Sequence, residues 1–441
     1  RDVAPSRGLG DVYKRQGQRT INLNKHMTEG MRFRNKLAYD LIRGIPQMVG
    51  LRTQFVHLYV KDNTEEPGGK FEDYGIYTQV EQLNKTALKS HGLDSNGQLY
   101  KINSFEFYRY EDIIKKEDDA GYDKTAFEKM LEIKGDSDHT KLIDMLTDLN
   151  DYSIGIEDVL KEHFDEENIV YWMAFQILMG NVDTQNRNVY LYSPLNSDIW
   201  YFIAWDNDGC LMRPEYELRN FSDQNSWEKG ISNYWGNILF QRCLKSRSFR
   251  EKLNDAILDL REYLNKDMLT SKIESYKNVL KPYLYLMPDA EYEPLTSEQY
   301  DQIAASLPDE IEKNYQLYLE SLETPMPFYI GVPTIDGDKL KFNWDVSYDL
   351  DAEDITYSVE VARDYLFQDV IYQNTTLTVP EAEMDLPNAG QYFVRVRATN
   401  TSGKTQDAFD YYVTDEGKYY GMRCFYITED STVEEDDYEE G

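Results

Sequence analysis

GNVDTQNRNVYLY, residues 180–192, and WYFIAWDND, residues 200–208, decide how this 441-residue chain is read. Just before them, Val170, Ala174, Ile177 and Leu178 recur at three- and four-residue steps, which predicts a helix over 158–181. Residues 189–192 and 199–205 are strand-like and flank the turn residues 193–198, so they predict a tight antiparallel hairpin. A loop carrying Asp183 and Asn188 precedes this hairpin, and a loop carrying Asp206 and Asp208 follows it. Both loops therefore meet at one end of the hairpin.

The spacing from Asp183 to Asn188 equals that between the base Asp and the metal-binding Asn of the protein-kinase catalytic loop. Asp206 stands one hairpin later, where the kinase plan has its DFG Asp. Phosphoryl transfer needs hard oxygen ligands for Mg²⁺ or Mn²⁺, which Asp206, Asn188 and Asp208 can supply while Asp183 orients the acceptor hydroxyl. With 80 Asp and Glu in the chain, Asp-x4-Asn alone carries nothing, because such carboxylates more often cap helices and turns. The helix, the hairpin and WDND taken together favour chemistry.

With those motifs in place, GNVDTQNRNVYLY and WYFIAWDND resemble the signature pair of the CotH (spore coat protein H) kinase family, a G-N-x-D-x4-N-x-Y run before a W-D-x-D run. FVHLYV (55–60), YGIYTQVEQLNKTALKSHG (74–92) and QLYK (98–101) are similar to that family's N-terminal lobe, and the resemblance spans residues 20–322. It implies an α+β fold whose atypical kinase-like core has a small β-rich N-lobe and a mainly helical C-lobe. It further implies ATP and Mg²⁺ or Mn²⁺ as cofactors, and transfer of phosphate to Ser or Thr of exported or cell-surface proteins. By position, Asp183 matches the catalytic Asp, Asn188 and Asp206 the metal ligands with Asp208 beside them, and Glu81 with Lys101 a polar pair of the nucleotide lobe. Trp205 reads either as packing against the nucleotide or as core filling, the second being favoured. The family usually begins with a strand holding an R-G-x-S/T type loop, and this chain has a different segment there. The alternative is a catalytically degenerate protein that binds a surface polymer.

Residues 1–16 (RDVAPSRGLGDVYKRQ) lack periodicity and resemble translated adapter sequence, so they are expected to be a non-native or disordered leader. The kinase-like core is expected over 17–323, with helices at 34–43, 126–149, 235–264, 269–285 and 297–322. At Thr324, Pro325 and Pro327 the period switches to alternation, and short strands at 340–344, 356–361, 370–372 and 391–399 predict a fibronectin type III-like all-β sandwich over 324–415. An acidic tail, 416–441, is expected to be solvated.

A net charge of −33 disfavours nucleic acid and anionic membranes as partners. Hydrophobic content of 41% with 14% aromatics is ample for packed cores. Cys210, Cys243 and Cys424 form no disulfide or zinc pattern, and the five histidines have no metal-ligand spacing. There is no Walker loop, no G-x-S-x-G elbow and no apolar run of about 18 residues, the least a membrane span needs. Asp206 and Asp208 share one short loop and would not straddle a sugar ring, which makes glycoside hydrolysis a remote reading. A secreted or cell-surface location follows from the resemblance alone, and any export signal would precede this chain.

Overall fold

The alternating residues on either side of 61–71 pair as expected: β2 (Thr53–Val60) runs antiparallel to β3 (Glu72–Glu81), and β1 (Ile21–Asn24) lies on the other edge of β3. The computed structural model describes residues 20–62, 64, 69–219, 227–415 and 417–435. The leader expected at 1–16 lies outside them, as do residues 416 and 436–441 of the expected tail. The chain divides into two units, residues 1–219 with 237–315, and residues 220–236 with 316–441.

In the first unit, helix α1 (Arg34–Ile42) follows β1 and buries Leu37, Ala38, Leu41 and Ile42. After β3 comes α2 (Lys85–Ser90), whose N-cap Asn84 accepts hydrogen bonds from the Thr86 and Ala87 N–H groups. The strand β4 (Gln98–Ile102) starts a second sheet. The continuous helix expected at 126–149 is broken into α3 (Lys124–Met130), β5 (Leu131–Ile133) and α4 (Thr140–Asn150). Tertiary pairing overrides the helical period there, because β5 finds an open edge on β4. Gly135 lets the chain leave that edge: a Cβ on it would sit 2.5 Å from both the Leu99 nitrogen and the Gly97 carbonyl oxygen.

Helices α5 (Ile156–His163) and α6 (Glu166–Leu178) lead to the decisive hairpin, β6 (Val189–Ser193) with β7 (Tyr201–Ala204). The second sheet has the order β5-β4-β6-β7, with Lys101 opposite Tyr190 and Val189 opposite Ala204. Alternation puts Leu99, Tyr190, Tyr192 and Ile203 on one face, where they share a core with Tyr39, Leu51, Val80 and Leu83. Helix α7 (Arg213–Leu218) follows the second loop. Helices α8 (Ile238–Lys245), α9 (Arg247–Tyr263), α10 (Lys266–Leu284), α11 (Ser297–Ser306) and α12 (Glu310–Leu322) make up the rest of the helical part. Pro308, inside the 3₁₀ turn Leu307–Asp309, splits what reads in sequence as one helix over 297–322. Among the described residues no helix is long and apolar enough to cross a membrane.

The second unit is β-rich. Strands β8 (Thr334–Asp336), β9 (Lys339–Asn343), β10 (Ile355–Ala362), β11 (Val370–Leu377), β12 (Glu381–Asp385), β13 (Gly390–Asn400), β14 (Thr405–Asp407), β15 (Tyr411–Thr414), β16 (Gly417–Tyr420), β17 (Met422–Ile427) and β18 (Val433–Glu435) follow in order. One sheet runs β11-β10-β13-β17-β18 with β14 also on β13, and another runs β12-β9-β8. Leu340 and Phe342 from the smaller sheet, with Trp344 just after β9, share a core with Val359, Val394, Val396 and Phe425 from the larger.

Two expected boundaries are corrected. The β-rich unit does not stop at 415: β17 pairs along β13 and buries Phe425 completely, an apolar strand hidden in sequence by the acidic residues after it. Nor does the helical core hold everything before 323, since residues 227–236 and the end of α12 from 316 onward belong with the β-rich unit. There Trp227 packs edge-on against Phe409, with ring centroids 5.1 Å apart, and Trp235 stacks on Tyr348 at 5.4 Å. Trp227→Ala should therefore cost the second unit about 2 kcal/mol in urea unfolding, a half-buried version of the usual Trp-to-Ala loss. An unchanged midpoint would remove this segment from the unit.

Candidate functional site

The first loop is set by the way α6 ends. Gly180 takes a left-handed φ of +59°, the Asn181 N–H donates to the Gln176 carbonyl at 3.0 Å, and the Gly180 N–H donates to that of Ile177 at 3.1 Å. That pair of bonds is a Schellman stop, and glycine suits it because a Cβ here would press on Asn314. The loop is then braced from outside: the Phe105 N–H donates to the Asn186 carbonyl, Asn186 Nδ2 to Glu106 Oε1 at 2.6 Å, and Asn237 Nδ2 to the Gln185 carbonyl at 2.9 Å. Within it Asn188 Nδ2 donates to Asp183 Oδ2 at 2.7 Å and to the Asp183 carbonyl at 3.1 Å. Asp183 Oδ1 pairs with Arg187 Nε at 2.8 Å. The catalytic-loop pair expected from spacing is thus one hydrogen-bonded unit, and Asn188 Oδ1 accepts no hydrogen bond among the described residues.

Across the end of the hairpin, the Trp205 N–H donates to the Asn188 carbonyl at 3.2 Å, which joins the second loop to the first. Asn188 and Asp206 both lie in the left-handed region, at φ +58° and +50°. Non-glycine residues there are uncommon, and Asn and Asp tolerate the conformation best. Between the two aspartates of this loop, Asn207 is fully buried and its Oδ1 accepts from Gln176 Nε2 at 3.2 Å. Asp206 and Asp208 therefore flank a residue fixed in the core.

Burial, reinforced by the Asp208 charge, pushes the Asp206 carboxyl up to about 6; His26 and Lys101 pull it down, and Asp183 adds to the rise. Burial also raises Asp183, again with Asp208 adding and Arg187 opposing. Three carboxylates thus act on one another here with incomplete compensation. The Asp206 carboxylate accepts no hydrogen bond among the described residues. Among those residues no three His, Cys, Asp or Glu side chains converge into a ready-made metal cage. The donor set fits Mg²⁺ or Mn²⁺ bound as in nucleotide sites, through one or two carboxylates with substrate phosphates and water. Asp206, Asp208 and Asn188 Oδ1 are the residues that would hold it.

The two nucleotide-lobe candidates separate. Lys101 sits on β4 beside Tyr190 of β6, close enough to Asp206 to lower its pKa. Glu81 does not pair with Lys101. It is buried at the end of β3, where it pairs with Arg52, lies 2.8 Å from His91 Nε2, and accepts the Arg52 N–H at 3.1 Å. In spite of burial, the His91 and Arg52 contacts hold its carboxyl down at about 2. Glu81→Ala leaves the Arg52 guanidinium without its anion and the His91 ring without its hydrogen-bond partner, and should cost about 3 kcal/mol in urea unfolding at pH 7. A carboxyl held below its ordinary 4.5 stabilises fully above that pH, so the gap between wild type and variant should close as pH falls towards 2. Equal stability at pH 7 would contradict the assignment. Trp205 packs edge-on against Tyr190 at 5.3 Å and borders the core, as expected from sequence.

Sequence reading missed the residues that reach the second loop from the N-terminal side. Tyr39 Oη accepts the Asp206 N–H at 3.1 Å, Asn35 Oδ1 accepts the Asn207 N–H at 3.1 Å, and His26 Nδ1 lies 3.7 Å from Asp208 Oδ2. No local signal marks them, because the hydrogen bonds join residues 167 and 172 positions apart. Arg187 was findable: it stands four residues after Asp183, the spacing of a local ion pair.

Residues 8–318 match the CotH kinase protein family. The inner spore coat protein H of Bacillus subtilis (strain 168) is 22% identical over 291 residues, which are 65% of this chain and 74% of that protein. The crystal structure of the Helicobacter pylori proinflammatory kinase CtkA aligns over 69% of this chain and 90% of that one, at 12% identity and a TM-score of 0.32, too loose to carry an argument. With the match running through the Asp183 and Asp206 loops and most of the chain's length, this chain belongs to the CotH kinase family.

Proposed function

We propose that the chain is an atypical protein kinase that transfers the γ-phosphate of ATP to Ser or Thr of exported or cell-surface proteins, with Mg²⁺ or Mn²⁺ bound. The observation that carries this reading is the Asp183–Asn188 unit joined to the Asp206 loop at one end of the β6–β7 hairpin. The divalent cation would supply charge neutralisation on the phosphates. Asp183, whose side chain is half exposed, would accept the hydroxyl proton of the acceptor once Arg187 moves aside. As the hydroxyl oxygen bonds to phosphorus, the bond to the bridging oxygen of ADP breaks and Asp183 keeps the proton. Lys101, beside Asp206, suits contact with a phosphate.

The name of the Bacillus relative, an inner spore coat protein, supports a coat or surface setting for the substrates. We read the second unit as a fibronectin type III-like β-sandwich, supported by the two sheets that share the Trp344 core. The acceptor class is tested by offering labelled ATP with Mg²⁺, and separately Mn²⁺, to Ser/Thr and Tyr peptide pools. Label confined to the Ser/Thr pool is expected; label in the Tyr pool alone would refute the acceptor assignment.

A further inference from the structure

Helix α1 enters no step of phosphoryl transfer, yet three successive contacts run from it into the second carboxylate loop. Arg34 Nε donates to the Leu211 carbonyl at 3.3 Å, Asn35 accepts the Asn207 N–H, and Tyr39 accepts the Asp206 N–H. Asn35 and Tyr39 are four residues apart and so share a helix face, with Arg34 adjoining. All three side chains are fully buried. Arg34 is itself pinned, donating to Glu29 at 2.8 Å and to Glu215 at 2.6 Å. Asn35 does a second job: its Nδ2 lies 3.4 Å from His26 Nε2, and the other nitrogen of that ring, Nδ1, lies 3.7 Å from Asp208 Oδ2.

The loop needs such support. Asp206 and Leu211 are both left-handed, at φ +50° and +55°, and a non-glycine residue keeps that conformation only where its surroundings impose it. Fixing the N–H of Asp206 and of Asn207 fixes the direction in which the Asp206 and Asp208 side chains leave the backbone. A divalent cation bound through few protein oxygens depends on that direction, because Mg²⁺ demands near-octahedral geometry.

We propose that α1 is the clamp of the metal-binding loop, with Tyr39 and Asn35 as positioning residues that aim Asp206 and Asp208 at the cation. This rests on the phosphotransfer reading of the site. The variants are Tyr39→Phe, which keeps the ring and removes only the hydroxyl, and Asn35→Ala. The control is Tyr263→Phe, which removes a hydroxyl donating to the Leu41 carbonyl of the same helix at 2.9 Å, away from the loop.

Two readouts are taken on the full chain: amide hydrogen exchange of residues 205–211 without ligand, and Mn²⁺ affinity with ATP from the electron paramagnetic resonance signal of free Mn²⁺. Tyr39→Phe and Asn35→Ala should each speed exchange at residues 206 and 207 and weaken Mn²⁺ binding by about tenfold, the size of one lost buried hydrogen bond. Tyr263→Phe should change neither. Unchanged exchange, or faster exchange with unchanged Mn²⁺ affinity, overturns the clamp, and so does an equal loss of affinity in the control. A wild-type chain that binds no Mn²⁺ with ATP is a different failure, since it removes the metal site and the clamp together.

Discussion

Asp206→Asn is expected to lower phosphotransfer at least about a thousandfold and to abolish the rise in melting temperature conferred by Mg²⁺ with ATP. Asn is the informative replacement because it tolerates the left-handed backbone of position 206 and removes only the charge. The fold should not suffer: the carboxylate accepts no hydrogen bond among the described residues and is repelled by Asp208 and Asp183. At a nucleotide concentration about 100 times its Kd, ligand binding stabilises a chain by about 2.7 kcal/mol, and this gain should vanish in the variant. A variant that keeps the full thermal shift would place the cation elsewhere.

Asp183→Asn should separate the two functions that Asp206→Asn loses together. The amide can still accept from Asn188, and the exposed Arg187 pair that it gives up is worth little. Nucleotide binding and its thermal shift should stay near wild type. Transfer should fall by about 10²- to 10⁴-fold, the usual weight of a general base. Loss of folding instead would make Asp183 a loop brace, and an unchanged rate would remove it from the chemistry.

The parts of this site that were legible in the sequence are those built from neighbours in the chain. The Asp183–Asn188 spacing and the short hairpin are local, and each appears where its pattern puts it. What is built through space was hidden. Glu81 and Lys101, both polar and both in N-terminal strands, read as a pair, but Arg52 and His91 reach Glu81 first. Tyr39 and Asn35 sit in a helix whose apolar period explains them as core, although their polar atoms serve a loop far along the chain. Strand β5 was lost because a three-residue edge strand is defined by its partner, and β17 because acidic residues crowd its far side.

The central claim is that Asp206 and the Asp183–Asn188 unit form one phosphotransfer site. Its most direct test is a time course of labelled phosphate from ATP into a Ser/Thr peptide pool with Mg²⁺, wild type beside Asp206→Asn, with both melting temperatures recorded. Transfer by the wild type, none by the variant and equal unliganded melting temperatures are predicted; equal transfer by both, or none by a folded wild type with either Mg²⁺ or Mn²⁺, would contradict it.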